Sequence, residues 1–165
     1  MKVLNSIENF LLKIESVTIV ILLSVMILFS FTQIILRNFF SIGFVEGDSL
    51  LRHFVLWIGF IGASIATHNE KHINIDIFSR ILPNAIKKKL HIFINGFAFI
   101  VCLILTNSSL NFLKMERESS QIFFENLQIP LWYLQIILPV GFALISFRFF
   151  IKLIKSTLIL FEKEK

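Results

Sequence analysis

Charge is scarce in this 165-residue chain: 16% of its residues are Asp, Glu, Lys or Arg, where an ordinary soluble domain carries about 25%. The shortage excludes a large soluble catalytic domain, because the longest mainly polar stretch, from about Thr67 to Lys89, is too short to enclose a core of its own. The single cysteine, Cys102, lies inside an apolar run, which excludes an internal disulfide and a cysteine-based zinc site. Glycine and proline number 6 and 3, and they nowhere break two spans in matching positions as the half-helices of a substrate pathway would. What fills the chain instead is 56% apolar residues, including 20 Phe, with long runs of Ile, Leu and Val between short polar stretches. Its solvent is a lipid bilayer. In that setting the pI near 9.6 and the net charge of +5 report topology rather than nucleic-acid binding.

A spanning helix needs about 20 apolar residues at ~1.5 Å rise each, and four segments qualify: about Ser16 to Leu36, Ser49 to Thr67, Leu90 to Leu113 and Pro130 to Ile151. The expected fold is an all-α integral membrane protein, a single domain of four transmembrane helices covering 1–165. The first apolar run is too long for a signal peptide and is followed by no small-residue cleavage site. In residues 1–15, Val3, Leu4, Ile7, Phe10, Leu11 and Ile14 recur at helical spacing opposite Lys2, Asn5, Glu8, Asn9 and Lys13. That pattern predicts an amphipathic helix lying on the membrane surface. Residues Ile75 to Leu82 repeat the pattern, and Pro83 suits the first turn of the third span. Residues 152–165 read as a basic cytoplasmic tail.

Orientation follows from Lys and Arg. Of the 16, twelve (Lys2, Lys13, Lys71, Arg80, Lys87, Lys88, Lys89, Arg148, Lys152, Lys155, Lys163 and Lys165) belong to the side of the two termini, and four (Arg37, Arg52, Lys114 and Arg117) to the other. The bias predicts both termini in the cytoplasm. The outer side also carries Glu46, Asp48, Glu116, Glu118 and Glu125, an acidic rim that is either solvated loop or a docking surface for a soluble partner.

Several residues invite a functional reading. Asp48 and Arg52 lie four apart on one face of the second span, and Arg52 is the clear charge within a span. It either snorkels to the headgroups or forms a buried ion pair that fixes the helix against a partner. Trp57 sits at mid-span, where its N–H needs an acceptor and should face protein. Gly59 with Ala63, and Gly62 with Ala66, give a close-packing face. At the inner end, His68, His72 and Asp76 offer a metal or haem set or a proton relay, against the plainer role of satisfying a helix end. Haem between spans would need histidines at equal depth on different helices. His53 stands alone near the outer face while His68, His72 and His91 cluster at the inner boundary. Polar Asn107, Ser108, Ser109 and Asn111 read as interhelical hydrogen bonding, and Pro139 as a tolerated kink.

The run from Asp48 through Arg52 and Trp57 to Gly62 and Ala63, followed by His72-Ile73-Asn74-Ile75-Asp76, resembles the small membrane subunit of tripartite ATP-independent periplasmic (TRAP) transporters, the DctQ-like family. Ile129-Pro130-Leu131-Trp132 and Leu138-Pro139-Val140-Gly141 in the fourth span resemble it too. The likeness covers nearly the whole chain. Ser49 stands where a second acidic residue is common in that family, and Lys71 where Gly is common.

The resemblance implies a non-enzymatic scaffold and membrane anchor for a large transport subunit of a sodium-coupled symporter. Such a system imports an organic acid, for example sialic acid or a C4-dicarboxylate, delivered by a periplasmic binding protein. It implies no cofactor here, with sodium held by the large subunit. Asp48, Arg52, Trp57, Gly59, Gly62, Ala63, His72, Asp76, Trp132 and Pro139 would then serve structure or the subunit interface, and Glu46 and Glu118 would meet the binding protein. Two other classes compete: a haem or quinone anchor of a respiratory enzyme, and a small membrane enzyme using His68, His72 and Asp76.

Overall fold

The computed structural model describes residues 2–41, 45–69, 84–119, 121–124 and 129–161. Four long helices carry the fold. They are α1 (Lys2–Phe40), α2 (Val45–Asn69), α3 (Asn84–Ser119) and, after a short helix α4 (Trp132–Gln135), α5 (Ile137–Phe161). Between α3 and α4 lies an antiparallel pair, β1 (Ile122–Phe124) and β2 (Ile129–Pro130), with Ile122 opposite Pro130 and Phe124 opposite Ile129. Leu131 N–H donates to the Gln121 carbonyl at 2.9 Å and closes the hairpin. Each of the four long elements contains a stretch apolar and long enough to cross a bilayer.

α1 departs from the expected layout. No surface-lying helix precedes the first span, since one unbroken helix of 39 residues runs from Lys2 to Phe40. The physical reason is local and tertiary together. No Gly or Pro interrupts residues 2–40, so nothing turns the chain at the bilayer edge. Glu8 also faces inward: it is buried, while Ile7, Asn9, Phe10, Lys13 and Ile14 are exposed. At ~1.5 Å per residue α1 is about 58 Å long, well beyond a ~30 Å hydrocarbon core. It stops at Ser41, whose φ of 52° is the left-handed turn that ends many helices.

The other boundaries shift outward. α3 continues past Leu113 to Ser119, and α5 carries helical structure through 152–161, where a basic tail was expected. The proposed interfacial segment from Ile75 to Leu82 lies outside the described residues. The fourth span is divided at Ile136 because Pro139 has no N–H for the Gln135 carbonyl. Ile136 nevertheless keeps right-handed helical angles (φ −54°, ψ −27°), so the chain kinks there without unwinding.

The main packing runs as a series: α1 against α2, α2 against α5, and α5 most extensively against α3. Gly141 on α5 sets the α2–α5 approach, since a Cβ there would lie 2.4–2.8 Å from Cδ1, Cγ and Cβ of Phe60. Phe60 also meets Phe142 edge-on, with centroids 4.9 Å apart. On the α3–α5 side, Phe99 stacks at a tilt on Phe150 at 5.3 Å, and Leu153 lies over Gly96.

Candidate functional site

The most concentrated chemistry in the fold is a polar seam where α1, α2 and α5 meet near the terminal side of the bundle. α1 supplies Glu8 and Glu15, α5 supplies Arg148 and Lys155, and α2 supplies Ser64 and His68. Each charged pair is seven residues apart on its own helix, two turns that return both side chains to one face. Because α1 and α5 run antiparallel, Glu15 meets Arg148 and Glu8 meets Lys155, making two rungs.

The deeper rung is the more enclosed. Arg148 Nη2 donates to Glu15 Oε2, Arg148 Nε donates to Ser64 Oγ at 2.7 Å, and Ser64 Oγ donates to Glu15 Oε1 at 2.8 Å. One hydroxyl thus accepts from the cation and donates to the anion, tying three helices at a point. The side chains of Arg148 and Glu15 are 3% and 6% exposed, so the pair is a true interior ion pair. Arg148 Nη1 is buried without a hydrogen-bond partner. In the outer rung Lys155 Nζ donates to Glu8 Oε2, and His68 Nδ1 lies 4.0 Å from Glu8 Oε1. Lys155 is more open, at 28% exposure.

This seam corrects the expectation that Arg52 is the clear charge within a span. Arg148 counted as a topological marker and Glu15 as a boundary residue; the fold uses them as each other's counterion. The signal was present as the matched seven-residue spacing of Glu8 with Glu15 and of Arg148 with Lys155, but nothing local announces that the two helices meet.

Asp48 and Arg52 behave differently. Both are exposed, and among the described residues no ion pair joins them. They begin a stripe. Every exposed residue of α2 falls on it: Asp48, Arg52, Val55, Gly59, Ala63, Ala66 and Asn69. A Cβ on Gly59 would meet nothing within 4 Å, whereas one on Gly62 would lie 3.6 Å from Ile19 of α1. Gly62 therefore faces α1, while Gly59, Ala63 and Ala66 face outward, so Ala66 shares the face of Gly59 and Ala63 rather than that of Gly62.

Trp57 finds its acceptor inside the chain, its Nε1–H donating to the Leu134 carbonyl at 2.9 Å. That bond joins α2 to the start of the kinked fourth span, and Pro139 is buried two turns below Trp132. Trp132 stacks on Tyr133 at 4.0 Å and lies under the Arg117 guanidinium at 5.6 Å, a cation–π contact that links the ends of α3 and α4. Glu46 is half-buried and Glu118 exposed at this same rim. His53 Nδ1 donates to the Ser49 carbonyl at 2.7 Å, so that nitrogen carries its proton. His72 and Asp76 lie outside the described residues. Among the described residues no three His, Cys, Asp or Glu side chains come together as a metal site would require.

An open apolar groove of about 270 Å³ between α3 and α5 is lined by Phe99, Leu103, Ala143, Phe147 and Phe150. The described residues thus offer a buried three-helix staple, an outward-facing small-residue stripe and a shallow apolar groove.

The family described as the DctQ component of tripartite ATP-independent periplasmic transporters matches residues 26–158. A Haemophilus influenzae protein named as a TRAP transporter small permease is 25% identical over 114 residues, covering 66% of this chain and 68% of that protein. The chain therefore belongs to the DctQ family, as a multi-pass inner-membrane small subunit of a TRAP transporter and not an enzyme.

Proposed function

We propose that this subunit is a static scaffold and membrane anchor for the large transport subunit of its TRAP system and holds no substrate or ion site itself. The observation that carries the reading is the division of α2 into two faces. One face is pinned to α1, α4 and α5 by Ser64, Trp57 and Phe60, and the other presents Gly59, Ala63 and Ala66, exposed among the described residues. In lipid, helices associate through close backbone approach at small residues, so the outward stripe is the surface offered to a neighbouring membrane helix. Arg52 and Asp48 lie at its far end, where a partner would meet them.

The same proposal places sodium and substrate in the large subunit, with an organic acid such as sialic acid or a C4-dicarboxylate as cargo and a periplasmic binding protein docking near Glu46 and Glu118. Both termini are read as cytoplasmic. Excluding Arg148 and Lys155, which have carboxylate partners in the seam, ten Lys and Arg still lie on the terminal side against four on the other, and short-segment Lys and Arg set orientation.

The test is co-purification of a tagged small subunit with its large subunit after co-expression. Gly59→Leu fills the open notch without touching this chain's own packing, and it should lower recovery of the large subunit at least tenfold while the small subunit accumulates normally. Unchanged recovery would remove α2 from the interface.

A further inference from the structure

The polar seam carries a conclusion about how α1 is held. Among the described residues of α1, the buried side chains are Glu8 and Glu15 alone. Many of its large apolar side chains point away: Phe10, Val20, Ile21, Ile27, Leu28 and Phe31 are 56–66% exposed, while Leu11, Leu12, Ile19, Leu22, Met26 and Phe29 are half-buried. Helices already in lipid gain no hydrophobic free energy by meeting, so this half-buried stripe contributes contact on the α2 side but no hydrophobic driving force. What α1 does bury is charge, and an unpaired carboxylate or guanidinium within a bilayer is strongly disfavoured.

We propose that the Glu8–Lys155 and Glu15–Arg148 rungs form an electrostatic latch, by which α1, a helix able to reside in the bilayer alone, is fastened to an α2–α5–α3 core that does not depend on it. The deeper rung is the essential one, because Arg148 contacts both α1 and α2 and its pair is nearly excluded from solvent. The outer rung is supplementary, since Lys155 is partly solvated. The groups facing this latch are Glu8 and Glu15 from α1, Ser64 and His68 from α2, and Arg148 and Lys155 from α5; Lys13 is exposed on the far side of α1. The core seam is of another kind, built from Phe99 against Phe150 and Leu153 over Gly96.

Two engineered cysteine pairs in full-length protein lacking Cys102 (Cys102→Ala) separate the two seams. Ile19→Cys with Gly62→Cys reports α1 docking, and Gly96→Cys with Leu153→Cys reports the core, each read as the rate of oxidative cross-linking in membranes. Arg148→Gln should slow the first at least tenfold and leave the second within twofold. Lys155→Gln should slow the first only twofold to fivefold. The charge exchange Glu15→Arg with Arg148→Glu should restore it to within threefold of the parent. Undiminished α1 cross-linking in Arg148→Gln would show that apolar packing holds α1. Loss of both cross-links, failure of both single variants to accumulate, or no recovery on charge exchange would each overturn the latch.

Discussion

Gly141→Ala is the sharpest single test of the helix packing. The added methyl would lie 2.4 Å from Phe60 Cδ1, 2.7 Å from Cγ and 2.8 Å from Cβ, all inside contact distance. The aromatic ring could rotate away, but Cβ is fixed to the α2 backbone, so the two helices must separate or shift. Overpacking of a well-fitted contact costs about 1–3 kcal/mol. Replacing a mid-helix glycine by alanine returns about 0.5–1 kcal/mol through the lost backbone entropy of glycine. The net expectation is a loss of about 1–2 kcal/mol, a factor of roughly 5–30 in the folded-to-unfolded ratio. Gly59→Ala is the internal control: the same propensity gain applies, and nothing lies within 4 Å of the new methyl. The measurement is denaturant-induced unfolding of the purified subunit in mild detergent, followed by far-UV circular dichroism. Gly141→Ala should unfold earlier than the parent and Gly59→Ala at the same point or later. A Gly141→Ala protein as stable as Gly59→Ala would refute the claim that α2 and α5 are in steric contact at this point.

Two further outcomes follow from the site. Trp57→Phe keeps the ring but removes the N–H donated to Leu134, and side-chain hydrogen bonds between membrane helices average about 0.6 kcal/mol with a maximum near ~1.7; a loss within that range is expected in the same unfolding assay. Arg52→Ala removes an exposed charge that has no ion-pair partner among the described residues, so the isolated subunit should stay within about 0.5 kcal/mol of the parent while recovery of the large subunit on co-purification falls; a large loss of stability in the isolated chain would mean that Arg52 serves this fold and not a partner.

Hydropathy is a local, additive quantity, and it determined the four spans, while Pro139 marked the break in the fourth. The ordered motifs from Asp48 to Trp57 and around Trp132 carried the resemblance to the family, whose model matches residues 26–158. Only the tertiary structure decided where charge resides within the membrane. Glu15 and Arg148 are 133 residues apart in the chain, and each by itself reads as an edge marker: one precedes an apolar run and the other approaches the end of another. Whether such a residue faces headgroups or a counterion depends on which helix lies beside it and at what rotation, and neither is a property of its own segment. The same limit hid the role of Gly141, whose value lies in Phe60 on another helix, and it reversed the reading of residues 1–15. An amphipathic pattern specifies that one side is polar; it does not say whether that side turns to water or to Arg148 and Lys155.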